Sequence, residues 1–392
     1  MKSIQDQLDL NHKKVLLRLD LNVPLKNGKI IDTTRIDKIL PTINFLLKSN
    51  AKIIILSHVG RPNGKIVNEL SLKPICENLK EKINSEIRLV TKNLKEINSN
   101  NLFINSDEKI LMLENIRFYK EEEENNYEFA KHIASLGEIY VNEAFSCSHR
   151  AHSSIHEIPK FLPSYSGLQL ETEINALKKI TSEIKRPITC IIGGSKISTK
   201  INIIKNLIHK FDSIVIVGGM ANNILEYKGI EIGNSIREKN CNKIIEEIFN
   251  ISQKANCKII YPEDVVVGND LNGSSKVKEL NNILKDEMIL DIGPKTIKKI
   301  KDIILNSNTI LWNGPAGYFE NINFANGSFE IAKEIAKETK NGNLYSVLGG
   351  GDTVSVINKI KLFNNFNFVS TAGGAFLEYL EGKDLPGISA LN

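Results

Sequence analysis

Arginines and glycines occupy different parts of the sequence, and both residue types can bind anions. Six of the eight arginines lie within the first 150 residues, whereas twenty of the twenty-five glycines lie from Gly193 onward. Lysine is the common cation here, so each arginine suggests a need for the planar guanidinium fork that pairs with phosphate or carboxylate. Glycine lets backbone N–H groups approach phosphate oxygens. We therefore expect side chains to hold a small anionic substrate in the first half, and main chain to hold a nucleotide in the second.

Polar residues of the first half cluster where the predicted strands end. In an open α/β sheet, ligands bind beyond the carboxyl ends of the strands. The residues are Asp20 and Asn22 in LDLNVP, His58 and Arg61 in SHVGRP, Arg117 in LENIRF, His149 and Arg150 in SHRAHSS, and Arg35 at the start of a helix. A single arginine in such a place is often only a surface ion pair. Several of them at one sheet edge favour a substrate site.

Other polar residues of the first half are better explained by structure. Arg18 and Arg88 lie within or beside predicted strands and fit ordinary ion pairs. His152 and His156 fit structural hydrogen bonds. The acidic run 121–124 is typical of a solvated helix start, because acidic residues favour a helix N-terminus, and a functional acidic patch is the alternative.

Glycine turns follow the strands of the second half. They are GGSKISTK at 193–200, VGGMANN at 217–223, DIGPKT at 291–296, NGPAGYFE at 313–320 and GGGDT at 349–353. None matches a Walker A motif or a Rossmann G-x-G-x-x-G fingerprint. Backbone geometry alone can explain any single turn. GGGDT is the strongest, because its three glycines, Gly349, Gly350 and Gly351, open a helix N-terminus where phosphate can bind and where an acidic residue stands.

Asp352 is the predicted metal ligand. A carboxylate beside phosphate-binding amides would be repulsive unless a cation lay between them, and Mg²⁺ is the usual cation of nucleotide sites. A helix N-cap is the alternative for this aspartate. Lys196 and Lys200 stand four apart at the predicted start of a helix, which would place both ammonium groups on one face toward the same phosphate chain. Two solvated lysines are the alternative there.

Short aliphatic runs alternate with amphipathic stretches along the whole chain. Strands are predicted near 15–20, 53–57, 87–90, 110–113 and 139–142, and again near 188–192, 214–217, 259–261, 288–290, 310–312 and 345–348. A helix over 33–48 carries an apolar stripe at spacings of three and four. This rhythm is typical of buried parallel sheets. The predicted fold class is α/β, with two doubly wound parallel-sheet, Rossmann-like domains.

Length and composition agree with two soluble domains. At 392 residues the chain exceeds the usual size of one core. We expect domains at 1–167 and 186–370, a connecting helix at 168–185 that could transmit domain closure, and a C-terminal segment at 371–392 that packs back on the first domain. No apolar run is long enough to span a membrane, and no signal segment is visible. Five cysteines without a C-x-x-C pair favour a reducing cytoplasm and offer no zinc site. The net charge of +5 is mild and spread out, so no nucleic-acid partner is expected.

From end to end the sequence resembles the phosphoglycerate kinases. The matching segments are LDLNVP, SHVGRP, LENIRF, HRAHSS, the GG-x-K-x-x-x-K turn, GGM, WNGPAGYFE, GGGDT, and STAGGA with LEYLEG. They stand in the family's order and spacing and cover both halves. The resemblance implies two domains that face across a cleft. It also implies a cytoplasmic, monomeric, hinge-bending enzyme that transfers a phosphoryl group between 1,3-bisphosphoglycerate and MgADP, giving 3-phosphoglycerate and MgATP.

The resemblance also implies roles for individual residues. Those assigned to phosphoglycerate are Asp20, Asn22, Arg35, His58, Arg61, Arg117 and Arg150, with His149 adjoining. Those assigned to the nucleotide and its metal are Lys200, Glu320, Asp352 and Thr353, with the glycines Gly350 and Gly351 of the same turn. Gly219, Gly293, Asn313 and Pro315 would form the walls of the nucleotide pocket. Lys196 and Arg35 would flank the transferred group, and amides near Gly373 and Gly374 would complete the cradle.

The sequence departs from the family pattern at a few positions. Ala372 replaces the first of three glycines, Cys147 and Ser148 replace the usual Thr and Ala, and Glu263 takes a usually apolar place. Ala372 matters most, because an added Cβ would restrict the backbone if the site needs a positive φ. We expect activity to survive, with a possible effect on rate and closure.

A carboxylate acceptor is already ionised at neutral pH, since its pKa is about 3.5, so no general base is required. Catalysis then reduces to alignment and charge neutralisation. Two other functions are less favoured by the sequence. A protein that only binds a nucleotide and an organic phosphate would not need Lys196 and Asp352 at the point of transfer. A dehydrogenase would need the dinucleotide fingerprint that is missing.

Overall fold

Two compact units make up the chain in the computed structural model, which describes residues 1–26, 28–100 and 102–392. The first unit contains Met1–Ile174 and Asp384–Asn392, and the second contains Asn175–Lys383. Their division falls inside the connecting helix, and the chain returns to the first unit later than residue 371. The domain bounds given above, with the ligand of each domain, stay a prediction.

Among the residues that the structure describes, eight strands and four α-helices of the first unit precede the connecting helix. The strands are β1 (Lys14–Arg18), β2 (Leu25–Lys26), β3 (Lys29–Ile30), β4 (Lys52–Leu56), β5 (Arg88–Val90), β6 (Ile110–Leu113), β7 (Ile139–Asn142) and β8 (Ser164–Ser166). The helices are α1 (Thr34–Lys48), α2 (Lys73–Ile83), α3 (Lys120–Glu123) and α4 (Tyr127–Ala134). β2 and β3 pair with each other as a separate antiparallel ribbon.

Six parallel strands form the main sheet of this unit, in the order β5-β6-β4-β1-β7-β8. Residues such as Ile53, Ile54 and Ile55 are fully buried in succession, because both faces of a parallel sheet are covered. The five strands expected in this half are present within a residue or two. β8 was not predicted, since Ser-Tyr-Ser lacks an aliphatic run. Helix α1 confirms the predicted helix, and its apolar stripe is buried at Ile36, Ile39, Ile43 and Leu46.

A second parallel sheet of six strands lies in the second unit, in the order β11-β10-β9-β15-β16-β17. Its strands are β9 (Ile188–Ile192), β10 (Ser213–Ile216), β11 (Lys258–Ile260), β15 (Thr309–Asn313), β16 (Tyr345–Gly349) and β17 (Phe368–Ser370). Its helices are α6 (Ile201–Ile208), α7 (Gly219–Tyr227), α8 (Asn242–Ala255), α9 (Pro294–Leu305), α10 (Asn326–Lys340), α11 (Gly351–Lys359) and α12 (Gly373–Leu380). The short helix α13 (Pro386–Ser389) belongs to the first unit. Two doubly wound parallel-sheet units confirm the predicted fold class.

Three further strands of the second unit form a small antiparallel sheet. They are β12 (Asp264–Gly268), β13 (Lys276–Glu279) and β14 (Met288–Ile292), in the order β13-β12-β14. The prediction that the strand near 288–290 continues the parallel series was wrong, because β14 pairs antiparallel with β12. An aliphatic run predicts a strand but not the direction of its partner.

The connecting helix α5 (Leu168–Thr181) ends before the predicted position. Its apolar side chains Leu170, Ile174, Leu177 and Ile180 are buried, as the spacing predicts. Among the described residues, no helix is long and apolar enough to cross a membrane.

Candidate active site

Asp20 and Arg35 form an ion pair at the carboxyl edge of the first sheet. Asp20 follows β1, and its Oδ2 lies 2.5 Å from Nη1 of Arg35, which stands in the first turn of α1. The same oxygen accepts a hydrogen bond from the hydroxyl of Ser146, and Oδ1 accepts from the backbone N–H of Asn22 at 3.1 Å. Three of the predicted residues therefore meet, and the guanidinium of Arg35 is oriented by the fold itself.

Gly60 connects Asn22 to Arg117. Its backbone N–H donates to Oδ1 of Asn22 at 2.9 Å, and its carbonyl oxygen accepts from Nη1 of Arg117 at 3.1 Å. Gly60 has a φ of +65°, which a residue with a Cβ rarely adopts, and a Cβ there would also overlap Leu70. The loops after β1, β4 and β6 are therefore linked by hydrogen bonds of side chains to the backbone of Gly60.

Arg117 is the buried cation of this edge. Its side chain is only 7% exposed and burial lowers the pKa of its guanidinium. Nε lies 3.5 Å from Oε1 of Glu123, yet it has no hydrogen-bond acceptor among the described residues. A buried donor without a partner is costly, at about 1–3 kcal/mol. The oxygen of a bound carboxylate or phosphate would supply the missing acceptor.

His58 and Arg18 are in contact below this edge. Nη2 of Arg18 lies 3.3 Å from Nδ1 of His58, and both side chains are almost completely buried. Burial, followed by the charge of Arg18, lowers the pKa of His58 well below 6.5. The prediction that Arg18 is an ordinary surface ion pair was wrong, because its strand lies in the middle of the sheet. Arg88 does fit that description, since it pairs with Glu108 at 2.5 Å.

Glu122 is fully buried, so the predicted solvated helix start is wrong for this residue. Its carboxylate accepts hydrogen bonds from the backbone N–H of Ser154 at 2.9 Å and from its hydroxyl at 2.6 Å. Ser154 belongs to a π-helical turn, Ser153–Glu157, that packs on α3. Glu123 and Glu124 remain exposed, as predicted.

Arg61 and Arg150 are exposed at the same edge, outside the buried network around Asp20. Nε of Arg150 lies 3.1 Å from Nε2 of His149. His156 hydrogen-bonds Asn125 and Glu157, which agrees with its predicted structural role. His152 is buried with Nδ1 3.9 Å from Glu122, and burial lowers its pKa to about 3.

Cys147 completes a group of three metal-ligating residue types with Asp20 and His58. Their ligand atoms lie within 4.8 Å of one another. The guanidinium of Arg18 lies against both His58 and the thiol, at 4.0 Å from Sγ, and its positive charge opposes a bound cation. We assign no metal to this group. Burial raises the pKa of Cys147, so the thiol is protonated and fills space.

In the second unit, glycine turns pack against one another around Pro315. A Cβ on Gly193 would overlap the carbonyl oxygen of Pro315, and a Cβ on Gly314 would overlap that of Gly193. A Cβ on Gly219 would lie 3.1 Å from Cα of Ser195. Contacts this close exclude side chains, which explains why the turns are glycine.

Lys200, Asn313 and Thr353 join these turns by hydrogen bonds. Nζ of Lys200 donates to Oδ1 of Asn313, whose Nδ2 donates to the carbonyl of Gly349 at 2.7 Å. Oγ1 of Thr353 accepts from the backbone N–H of Gly314 at 2.7 Å. Burial lowers the pKa of Lys200, and the charge of Asp352 opposes that shift. Three predicted residues therefore form one polar cluster with Asp352 nearby.

Asp352 is exposed in the first turn of α11. Gly350, with a φ of +99°, holds the N-cap position, so the N-cap alternative for Asp352 is wrong. Gly351 is the first residue of the helix and is also exposed. The N–H groups of this helix start and one carboxylate therefore stand on the same short segment.

Lys196 lies in the turn before α6, and Lys200 is the N-cap of that helix. The predicted sharing of one helix face was wrong, because the two lysines are not in the helix. Lys196 is exposed, whereas Lys200 is half-buried.

Gly293 has a different role from the glycines of the other turns, because it lies against the carboxylate of Asp264. The carboxylate of Asp264 accepts hydrogen bonds from the backbone N–H groups of Lys295 at 2.9 Å and Thr296 at 2.8 Å, and it thereby caps the N-terminus of α9. A Cβ on Gly293 would overlap this carboxylate. Gly293 is not among the residues that line the cavity described next.

A cavity of about 370 Å³ opens beside the glycine turns of the second unit. Four predicted residues line it, namely Gly219, Pro315, Glu320 and Asp352. Its other walls are largely apolar and include Ile236, Met288, Leu290 and Phe319. A mostly apolar cleft with a few polar groups is typical of a site for a small organic ligand.

Asp291 lies in the wall of this cavity and was not predicted. It accepts hydrogen bonds from the N–H groups of Gly327 at 2.7 Å and Ile292 at 2.9 Å. Burial raises its pKa to about 7. A Cβ on Gly317 or Gly327 would overlap its carboxyl group, so this carboxyl fixes the loops that shape the wall.

Ala372 is the N-cap of α12 and has a φ of −98°, so its Cβ causes no left-handed strain. The backbone restriction expected from alanine at position 372 is therefore absent, because no positive φ is needed there. Gly373 and Gly374 are the first residues of the helix, and both are exposed. Glu263 is exposed and pairs with Lys299, which explains why a charged residue is tolerated there.

The sequence model of one family, described as phosphoglycerate kinase, matches residues 4–383. The chain belongs to the phosphoglycerate kinase family. The phosphoglycerate kinase of Wolbachia sp. subsp. Brugia malayi (strain TRS) is 45% identical over 388 residues, covering 98% of this chain and 97% of that protein. The phosphoglycerate kinase of Chelativorans sp. (strain BNC1) is 42% identical over 392 residues, covering 100% and 98%.

Solved structures of phosphoglycerate kinases are similar over the whole chain. The enzyme of Coxiella burnetii gives a TM-score of 0.91 at 38% identity, covering 99% of this chain and 98% of that one. The enzyme of Pyrococcus horikoshii OT3 gives 0.81 at 28% identity, covering 100% and 98%. These findings confirm the resemblance, and the chain is a phosphoglycerate kinase, a transferase of glycolysis.

Several side chains that shape the sites of this phosphoglycerate kinase were not predicted. Ser146 and Asp264 are ordinary polar residues in the sequence. The fold shows that Ser146 hydrogen-bonds Asp20 and that Asp264 caps the N-terminus of α9. The apolar cavity walls come from loops far apart in the chain and look like core residues. The place of Ser146 in a loop after a strand is a sequence signal, because ligand-binding residues follow strand ends, but it does not identify Asp20 as the partner.

Proposed function

We propose that this kinase transfers a phosphoryl group in line between 1,3-bisphosphoglycerate and MgADP, giving 3-phosphoglycerate and MgATP, without a general base. The observation that carries the proposal is the buried guanidinium of Arg117 with its unpartnered Nε, beside the Asp20–Arg35 pair. Phosphate and carboxylate oxygens are the acceptors that match this fork.

The first unit is the proposed phosphoglycerate side. Arg35 and Arg117 would bind its anionic groups, with Asp20 and Asn22 orienting the loops, and His58 would add a neutral contact. Arg61 and Arg150 are exposed and would approach from the solvent side, with the partly buried His149 adjoining. A neutral triose with no phosphate would leave the buried guanidinium without an acceptor, which favours a phosphorylated acid.

The second unit is the proposed nucleotide side. The apolar cavity would take the base and sugar, with Glu320 and the backbone at Gly219 and Pro315 in its walls. The phosphates would meet Lys200, Thr353 and the start of α11 at Gly350 and Gly351, where backbone N–H groups favour negative charge. Asn313 would support Lys200. Gly293 was a predicted wall residue, and we now propose for it only the seating of Asp264.

Asp352 fits a Mg²⁺ ligand, since it is an exposed carboxylate that lines this cavity at the start of α11. Mg²⁺ is usually held in proteins by one or two carboxylates together with substrate phosphates. When bound, the ion would neutralise charge on the transferring phosphates.

The acceptor oxygen is a carboxylate that is ionised at neutral pH, so no proton has to leave it. Lys196 and Arg35 would neutralise charge on the group in flight, and the backbone N–H groups of Gly373 and Gly374 would receive its oxygens. Transfer also requires the two ligands to come within reach and water to be excluded. We propose that closure of the two units does this, and that the enzyme is a cytoplasmic monomer.

A coupled assay with 3-phosphoglycerate and MgATP tests the proposal. We expect turnover that disappears when 3-phosphoglycerate is replaced by glycerate, which lacks the phosphate. Nucleotide binding without turnover of 3-phosphoglycerate would contradict it and would instead favour a protein that only binds both ligands.

A further inference from the structure

Arg18 is a fully buried arginine that the proposed mechanism does not use. It is the last residue of β1, and its side chain contacts His58, which follows β4, and Ser154 of the π-helical turn Ser153–Glu157. Nε donates to Oγ of Ser154 at 2.7 Å, Nη1 donates to the carbonyl of Leu19, and Nη2 reaches Nδ1 of His58 at 3.3 Å. Each guanidinium nitrogen therefore has a defined neighbour.

The contact between Nη2 of Arg18 and Nδ1 of His58 determines which nitrogen of the neutral imidazole carries the proton. A guanidinium has only donors, so Nδ1 of His58 must be the acceptor in this contact. A neutral imidazole that accepts at Nδ1 carries its proton on Nε2. The geometry around Arg18 thus selects one of the two tautomers.

Glu122 balances the charge of Arg18 through Ser154. The hydroxyl of Ser154 donates to Oε1 of Glu122 at 2.6 Å while it accepts from Nε of Arg18. A buried charge is stable only when it is paired and hydrogen-bonded. The chain Glu122, Ser154, Arg18, His58 therefore fixes the guanidinium on one side of the imidazole.

The charged and titratable groups around His58 come from several elements. They are Arg18, Arg35, Arg117 and His152, together with Asp20 and Cys147. Burial, followed by the positive charges of the three arginines, lowers the pKa of His58 well below 6.5, so the imidazole stays neutral at physiological pH.

We propose that Arg18 is a positioning residue that holds His58 as the Nε2–H tautomer, so that His58 offers phosphoglycerate a neutral hydrogen-bond donor. This inference rests on the proposed function, because it takes His58 as a residue that contacts phosphoglycerate. A protonated His58 would bind an anion through its charge, and affinity would then fall as pH rises through its pKa. The neutral donor acts equally across the physiological range.

Nitrogen NMR of the free enzyme tests the tautomer directly. The protein is labelled with ¹⁵N-histidine, and His58→Gln assigns the signal. We expect long-range nitrogen–proton correlations typical of a protonated Nε2 and a bare Nδ1, unchanged from pH 6 to 8. A protonated Nδ1 or an imidazolium in this range would overturn the proposal, and this result needs neither substrate nor a variant of Arg18.

Arg18→Met removes the donor and keeps a side chain of similar length. We expect mixed tautomers for His58 and a titration that moves toward pH 6.5, while Arg18→Lys, which keeps a donor and its charge, should restore part of the wild-type pattern. An unchanged His58 signal in a folded Arg18→Met enzyme would overturn the role of Arg18. Should Arg18→Met not fold, Ser154→Ala keeps the guanidinium but removes the acceptor of Nε and the link to Glu122, and it is expected to broaden or split the same signal.

The kinetic readout is the KM for 3-phosphoglycerate between pH 6 and 8. We expect Arg18→Met to gain a dependence of KM on pH that the wild-type enzyme lacks, with a smaller effect on kcat. A pH-independent KM in a variant whose His58 does titrate would contradict the contact between His58 and phosphoglycerate. Wild-type enzyme that does not turn over 3-phosphoglycerate would instead refute the proposed function and leave the NMR result standing.

Discussion

Lys196 and Lys200 show how two lysines of one motif differ in their surroundings. Lys200 is half-buried and donates to Asn313, so its ammonium is already placed before a ligand binds. Lys196 is exposed in the turn before α6. An exposed ammonium gains little from a ground-state contact in water, and it contributes most where charge develops during transfer.

Lys196→Ala is therefore expected to lower kcat by about 100-fold or more and to change the KM of either substrate by less than about threefold. Lys298→Ala, an exposed lysine on α9, is the matched control and should keep wild-type kinetics. Steady-state assays in the ATP-consuming direction measure both. A variant with nearly wild-type kcat would remove Lys196 from the transition state.

At the scale of elements, buried carboxylates hold helix N-termini in both units. Asp264 accepts from two N–H groups of α9 and from the hydroxyl of Thr296. Glu143, which follows β7, accepts from the N–H groups of Gln169 at 3.0 Å and Leu170 at 2.8 Å at the start of α5. These contacts tie each helix to a strand end.

Asp264→Ala should lower the free energy of unfolding of the second unit by about 2 kcal/mol or more, since it removes a cap and leaves buried donors unpaired. Urea unfolding followed by circular dichroism measures this loss. Asp302→Ala, an exposed aspartate on the same helix, is the control. Equal stability of the two variants would show that the cap contributes little.

Glu143 predicts a particular pH dependence of stability. Burial raises its pKa from 4.5 to about 7 in the folded protein. Between these values the folded state binds more protons than the unfolded state, so the free energy of unfolding falls as pH rises from about 4.5 to 7. We expect Glu143→Gln to reduce this slope by up to about 1.4 kcal/mol per pH unit. Denaturant unfolding at several pH values checks it, and an unchanged slope would mean that Glu143 ionises normally.

At the scale of the whole molecule, the alternation of short aliphatic runs with amphipathic stretches predicted the α/β fold, and the distribution of arginine and glycine led to the anion contacts proposed for each unit. Periodicity was sufficient for β1, β4 and α1, because buried parallel strands and amphipathic helices leave clear patterns. It was insufficient for Arg18 and Glu122, since their burial depends on Ser154, which is distant in the chain. The antiparallel pairing of β14 was also beyond local pattern.

A metal requirement belongs to the same scale, because it links the nucleotide to the reaction. Chelation by EDTA is expected to abolish turnover, and added Mg²⁺ should restore it. Asp352→Asn should raise the Mg²⁺ concentration needed for half-maximal rate by about tenfold, since one charge-assisted contact is lost. A variant with the wild-type Mg²⁺ requirement would remove Asp352 as a ligand.

The central claim is that phosphoglycerate is bound by side chains of the first unit and the nucleotide by the second. Calorimetric titration of 3-phosphoglycerate and of MgADP into Arg117→Met and Asp352→Asn tests it most directly. We predict that Arg117→Met weakens the binding of 3-phosphoglycerate by about tenfold or more and changes the affinity for MgADP by less than about twofold. We predict the reverse for Asp352→Asn. The claim would be contradicted if each variant weakened the binding of both ligands equally, or if it changed the binding of neither.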